Sequence, residues 1–232
     1  MENPGAYKAT KILARIPYFA DLEQQVMQEL SSAAIQRNYD AGQVVFVEGE
    51  PCSGLYVVQD GWLKSVMITA NGREQVVRVV GPGDVFNELG VLAGGLNQIT
   101  VQALEPATVW IIPQKVLLDL MERNPSLCLA IVRNLTQRIQ HLMRLVEGLS
   151  LHPVEGRLSR ILLDAAQEGV VNRRRWSTQA EMAARLGTVP DVLNRALRGL
   201  VEDGVIRLER QQIVILDIAA LKARAKLDDT KA

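Results

Sequence analysis

The sequence predicts an α+β chain made of an N-terminal β-barrel domain, a long helix and a C-terminal winged helix-turn-helix. Three observations predict it. Between Gln36 and Pro113, short β-branched runs are broken by the turn glycines Gly49, Gly61, Gly72 and Gly83, spaced 12, 11 and 11 residues apart, the rhythm of an all-β barrel or sandwich. From Pro125 to Leu149 the run SLCLAIVRNLTQRIQHLMRLVEGL holds no glycine before Gly148 and repeats its apolar residues at helical spacing. From Gln179 onward a helix, a glycine, a second helix and two β-runs follow in order.

At 232 residues and 48% hydrophobic, the chain exceeds the usual size of one domain. The expected division is a β-barrel domain over 1–124, a long helix and hinge over 125–152, and a winged helix-turn-helix domain over 153–232. Ahead of the barrel, LEQQVMQELSSA carries Leu22, Val26, Met27 and Leu30 on one helical face. Within the barrel, Asp60-Gly61 and Asn71-Gly72 are dipeptides that accept positive φ at both centres of a type I′ turn, so a hairpin is expected at each.

The long helix can be written with Leu135, Leu142 and Leu149 at heptad a positions and Ile131 and Leu145 at d. That seam is the length of a short parallel coiled coil and predicts a homodimer. The alternative is a core helix packed on its own barrel, to which Arg138, at a d position, lends weight. Pro153 then opens a new helix, VEGRLSRILLDAAQEG, striped by Leu158, Ile161, Leu162 and Ala165; the hinge is placed at Leu151 to Pro153.

Net charge is zero, but residues 1–152 hold 12 basic and 15 acidic side chains, against 14 basic and 11 acidic in 153–232. The C-terminal third is therefore the side suited to a polyanion. Two cysteines, Cys52 and Cys128, stand without a CxxC partner, so neither a disulfide framework nor a metal site is expected. No run of about 18 apolar residues occurs, and a cytoplasmic protein without a membrane partner is expected. Both histidines, His141 and His152, fall outside the barrel strands, where a catalytic metal would need them; no nucleophile–base pair is visible, so no enzyme is expected.

In STQAEMAARLGTVPDVLNRALRGLVEDGVIRLERQQIVILD, the first helix, Gln179 to Leu186, places Met182, Ala183 and Leu186 on one face. Gly187 suits a left-handed turn, and Pro190 suits the first turn of the second helix; Thr188 or Val189 precedes it, and of the two only Thr188 can cap it with a hydroxyl. That helix turns Leu193, Ala196, Leu197 and Leu200 inward and Asp191, Asn194, Arg195 and Arg198 outward. In a major groove Arg pairs with guanine, Asn with adenine, and Asp accepts from the cytosine amine, while Arg198, deeper along the helix, suits a phosphate. The runs VIRLE and QQIVILD form a wing with Arg207 and Arg210 near its tip, placed for phosphates. Gln179 and Thr188 complete the expected contacts to double-stranded DNA.

Taken in order, YDAGQVVFVEGEPCSGLYVVQDGWLKSVMITANGREQ, PGDVFNELGVL, the long helix, VEGRLSRILLDAA and the winged helix-turn-helix resemble the CRP/FNR superfamily of bacterial regulators over about 170 residues. The resemblance implies a cyclic-nucleotide-binding-like β-roll (a double-stranded β-helix), a dimer along the long helix, a small-molecule effector, reorientation of the DNA-binding domains, and RNA polymerase as a further partner. It places the effector pocket at Asn87, Glu88, Leu89, Gly90, Gln98, Ile99, Thr100, Leu142 and Met143.

That pocket departs from the cyclic-AMP binders. Asn87-Glu88-Leu89 stands for their Gly-Glu-Leu and Gln98-Ile99 for their Arg-Ser or Arg-Thr, while Leu142 and Met143 take the two positions that offer hydroxyls to adenine. Glu88 can still accept from a ribose hydroxyl. A buried cyclic phosphate needs the charge-assisted bonds of an arginine fork, and Gln98 offers only neutral ones. An effector other than cyclic AMP, of apolar character, or activity without any ligand, is therefore expected; the alternative is a cyclic-nucleotide- or haem-responsive sensor. No cysteine precedes Cys52 to build an N-terminal iron–sulfur cluster, and haem would call on His141, His152, Cys52 or Cys128. The recognition helix has Pro190-Asp191 where the family carries Arg-Glu, but retains Arg195. Its operator should be an inverted repeat that differs from the TGTGA-type half-site.

Overall fold

A computed structural model describes residues 4–17, 19–20, 22–68, 72, 74–172, 174 and 177–225, with the side chains of His141, Arg144, Leu145 and Leu149 outside the described set. Two compact units divide the chain, one of Met1–Arg73 with Val77–Gln140 and one of Glu74–Val76 with His141–Ala232. Each is described by itself.

Among the described residues of the first unit, helices α1 (Pro4–Leu13) and α2 (Gln24–Ala33) precede eight strands: β1 (Ile35–Tyr39), β2 (Val44–Phe46), β3 (Gly54–Asp60), β4 (Leu63–Ile68), β5 (Glu74–Val80, of which residues 74–76 are assigned to the second unit), β6 (Val85–Phe86), β7 (Thr100–Ala103) and β8 (Ala107–Pro113). They form two four-stranded sheets, ordered β1-β8-β3-β6 and β2-β7-β4-β5. Apart from the neighbours β4 and β5, consecutive strands alternate between the sheets, which makes the barrel a β-roll. Helix α3 (Glu88–Leu92) sits between β6 and β7, and α4 (Gln114–Arg123) leads into the long helix α5 (Pro125–Leu151).

The continuous apolar runs of β3 and β8 follow from burial on both faces. Leu55 and Val57 of β3, with Trp110 and Ile112 of β8, join Leu13, Ile16, Phe19, Leu30, Leu117, Leu120, Leu127 and Ile131 in a core beneath the helices. The alternate residues Tyr56, Val58, Val109 and Ile111 join Phe46, Leu63, Val80, Phe86 and Val101 between the sheets. Period-2 alternation thus divides each strand between two cores, and each large side chain removed from water contributes roughly 1.5–3 kcal/mol. Tyr56 stacks on Phe86 with ring centroids 5.0 Å apart, and burial pushes its phenol pKa up to about 12.

Two sequence expectations change. The Asp60-Gly61 hairpin does not form, because β3 and β4 lie in different sheets; Asp60 pairs with Thr108 of β8 and Leu63 with Ala103 of β7. A positive-φ dipeptide marks a sharp change of direction, and here it carries the chain from one sheet to the other. Of the second dipeptide, Asn71 lies outside the described residues. Ile131, placed in the dimer seam, has 2% of its surface exposed and packs in its own unit's core, whereas its neighbour Val132 is exposed.

The second unit holds α6 (Val154–Ala165), β9 (Val170–Asn172), α7 (Gln179–Arg185), α8 (Pro190–Glu202), β10 (Ile206–Leu208), β11 (Gln212–Ile215) and α9 (Ile218–Arg224). Its core gathers Leu158, Leu162, Met182, Leu186, Leu193, Leu197, Leu200, Ile206, Ile213 and Leu221. The wing hairpin pairs Arg207 with Val214 and gains β9 as a third strand against β11, which the sequence reading did not anticipate. Helices α1, α3, α4 and α9 likewise have no counterpart among the expected elements.

Gly61 is held at φ 81°, and a β-carbon there would stand 2.4 Å from the Pro106 carbonyl oxygen. Strain and overlap together should make Gly61→Ala cost about 3 kcal/mol, read as a lower unfolding temperature with no change in the second unit's helical signal.

Candidate nucleic-acid interface and effector site

Helix α7 is capped by Thr178, whose hydroxyl accepts from the Glu181 amide at 3.2 Å. Gly187 then takes φ 64°, and the Thr188 amide donates to the Ala183 carbonyl at 2.9 Å. This tight turn delivers the chain to Pro190, the first residue of α8. The cap preceding α8 is Val189, without a side-chain bond, so the capping role expected of Thr188 is corrected: its residue sits one position too early.

Leu193, Leu197 and Leu200 fix α8 to the core, which leaves Asp191, Arg195 and Arg198 exposed at i, i+4 and i+7. Asn194, half-buried, donates from Nδ2 to Gln179 Oε1 at 3.2 Å, tying the recognition helix to the first residue of α7. On the wing, Arg207 is less available than its sequence suggested: its Nε lies 3.1 Å from Glu209 Oε1, and Gln212 donates to Glu209 Oε2 at 2.6 Å. These two bonds, Gln212 first, hold the Glu209 carboxyl below the usual carboxylate range. Arg210 lies exposed in the wing turn. At the far end of α8, Arg224 of α9 pairs with Asp203 at 2.5 Å and with Glu155 of α6 at 3.0 Å.

In the β-roll, the expected effector residues are largely engaged by the chain itself. Asn87 adopts φ 74° and its buried Nδ2 donates to the Gly54 carbonyl at 3.1 Å and Asn97 Oδ1 at 3.0 Å. Gly90 packs so closely that an added β-carbon would stand 2.6 Å from Asn87 Oδ1. Thr100 accepts from the Glu48 amide at 3.1 Å. Gln98 is exposed and bonds back to the Leu96 carbonyl at 3.1 Å, while Ile99 packs against the inter-sheet core and Leu89 is exposed. Leu142 and Met143 are exposed on α5, in the second unit; the structure does not gather all nine positions into one unit.

Arg138, noted in the sequence only as a cation favouring a helix packed on its own barrel, was given no partner and no place beside the effector residues. From α5 it forms an ion pair with Glu88, whose side chain is 1% exposed, and it also donates to the Val85 carbonyl. Asn134, one turn earlier, accepts from Arg138 Nε at 3.1 Å. Arg78 of β5 converges on the same Val85 carbonyl at 3.0 Å and pairs with Asp84 at 2.9 Å. The available signal was the arginine interrupting an apolar heptad.

Two family descriptions match this architecture: a cyclic nucleotide-binding domain over residues 36–124 and a Crp-like helix-turn-helix domain over 156–224, between them more than half of the chain. The chain belongs to the CRP/FNR family. Among the full-length relatives of this CRP/FNR regulator is the CRP-like cAMP-activated global transcriptional regulator of Mycobacterium tuberculosis, 27% identical over 93% of this chain and 99% of that one. A second is the cyclic AMP receptor protein of Thermus thermophilus, 25% identical over 89% of this chain and 95% of the other. FixK2 from Bradyrhizobium japonicum shares the fold with a TM-score of 0.73 at 21% identity, covering 86% of this chain and 99% of its own. The relatives along its length are transcription regulators rather than enzymes, and its helix-turn-helix is a DNA-binding domain. Among the described residues no helix is long and apolar enough to cross a membrane.

Removing Arg138 strands a buried carboxylate. Arg138→Met should cost about 3–5 kcal/mol in denaturant unfolding, and adding Glu88→Gln should return most of it, because the penalty lies in the uncompensated charge.

Proposed function

We propose that this CRP/FNR regulator binds an inverted-repeat operator as a homodimer and answers to an effector other than cyclic AMP. The observation that carries the effector reading is the pairing of Glu88 with Arg138 while Gln98 turns outward onto its own backbone. The carboxylate that would meet a ribose hydroxyl is already neutralised by the long helix, and no arginine occupies position 98 to hold a cyclic phosphate.

The dimer seam is redrawn from the expected one. Ile131 and Arg138 face their own β-roll, so the outward stripe is Val132, Ile139 and Val146, exposed by 55%, 58% and 62%. With these at a positions, Leu135, Leu142 and Leu149 become d positions. β-Branched residues at a with leucine at d favour two parallel strands. The expected Leu145 leaves the seam in this phase, and its side chain, like that of Leu149, lies outside the described residues.

On DNA, α8 enters the major groove and the wing lies along the backbone. Arg195, exposed near the start of α8, is assigned to guanine, Asp191 to a cytosine amine, and Arg198, Arg207 and Arg210 to phosphates.

Selection of bound duplexes from a random library, with no ligand added, tests the reading as a whole: an inverted repeat with half-sites about one or two helical turns apart is expected. Failure to recover any repeat, with or without candidate effectors, would overturn it. Ile139→Glu should convert the dimer to monomer in sedimentation, whereas Ile131→Ala should leave the dimer mass unchanged while costing about 2–5 kcal/mol of stability. Arg195→Ala should abolish base preference; Arg207→Ala should weaken all duplexes alike and lower the salt slope by about one contact.

A further inference from the structure

We infer that Gln179 is a positioning residue for Asn194, and that the Asn194 amide so held selects an adenine in each operator half-site; this rests on the docking of α8 proposed above. Asn194 stands between Asp191 and Arg198 on the outward face of α8, one residue before Arg195, and it differs from those neighbours in being half-buried. Its Nδ2 is bonded across the turn to Gln179 Oε1 at 3.2 Å. Gln179 opens α7, immediately after the capping Thr178, so the acceptor is anchored to a helix end whose own geometry is fixed by the cap.

A primary amide carries two N–H donors beside one carbonyl acceptor. With one N–H given to Gln179, Asn194 presents one donor next to one acceptor. Adenine offers the matching pair in the major groove, N7 as acceptor and the N6 amine as donor. Guanine offers two acceptors, N7 and O6, and would set one of them against Asn194 Oδ1. A free asparagine can turn its amide to give both protons to guanine; one held by Gln179 cannot do so without breaking that bond. The clamp therefore converts a permissive side chain into a selective one, and also removes rotamer freedom before the complex forms.

The test is duplex selection with the full-length protein and four variants, each checked for an unaltered unfolding temperature. Wild type should return an A·T pair at one position per half-site, preferred over G·C by about tenfold. Asn194→Asp, an acceptor only, should change that position to cytosine. Gln179→Ala should bring the adenine and guanine frequencies there close to equal while the other positions keep theirs. Gln179→Glu retains the acceptor and should retain the adenine preference, with weaker binding to every duplex from the added negative charge. Arg195→Ala is the control for docking. If Arg195→Ala alters the selected site but Gln179→Ala leaves the adenine preference intact, or Asn194→Asp does not change the selected base, this inference is overturned and the docking stands. If Arg195→Ala also selects the wild-type site, both are overturned.

Discussion

Glu88 is a carboxylate almost wholly withdrawn from water, at the first turn of a five-residue helix in the β-roll, and the seating of α5 on the roll depends on keeping it paired. A lone carboxylate in such a place costs several kcal/mol. The neutralising charge comes from α5, so the long helix is not free to pack on the roll by apolar contact alone; Arg138 must arrive at Glu88 and the Val85 carbonyl, and Asn134 must brace it. Ile131, two turns earlier, seats the same face of α5 in the core. Burial sets how close the helix comes, and the ion pair sets its rotation.

The broad fold was legible because its signals are local and repeated. Evenly spaced turn glycines, β-branched runs and two helical stripes separated by Gly187 report backbone conformation directly. Which strand pairs with which was not legible at Asp60-Gly61, since a positive-φ turn serves equally to close a hairpin or to cross between sheets. In a strand buried on both faces, such as β3, alternation no longer marks one outward side. The short helices α1, α4 and α9 were missed because each offers ten residues or fewer over which an apolar stripe can repeat, and α9 is fixed by a distant partner, Arg224 with Glu155.

The heptad on α5 was legible as a pattern and ambiguous in phase. Leucines 135, 142 and 149 fit two adjacent seams, one completed by Ile131 and Leu145, the other by Val132, Ile139 and Val146. Under the proposed dimer, Arg138 favours the second: a cation in the first seam would meet its own copy, whereas facing the roll it meets Glu88. In the helix-turn-helix, the outward residues of α8 were readable from spacing, but the pairing of Asn194 with Gln179 and of Arg207 with Glu209 was not. Those depend on rotamers of exposed polar side chains, about which periodicity is silent.

Arg138 and Ile139 are successive residues, separated by about 100° around the helix axis. One is keyed to a buried carboxylate and the other lies on the outer stripe. The backbone between them is stiff, so α5 behaves as a shaft: it cannot turn Arg138 away from Glu88 without swinging Ile139 through the same angle. Whatever engages the roll at Glu88 would thereby dial the angle at which the helix presents its outer edge.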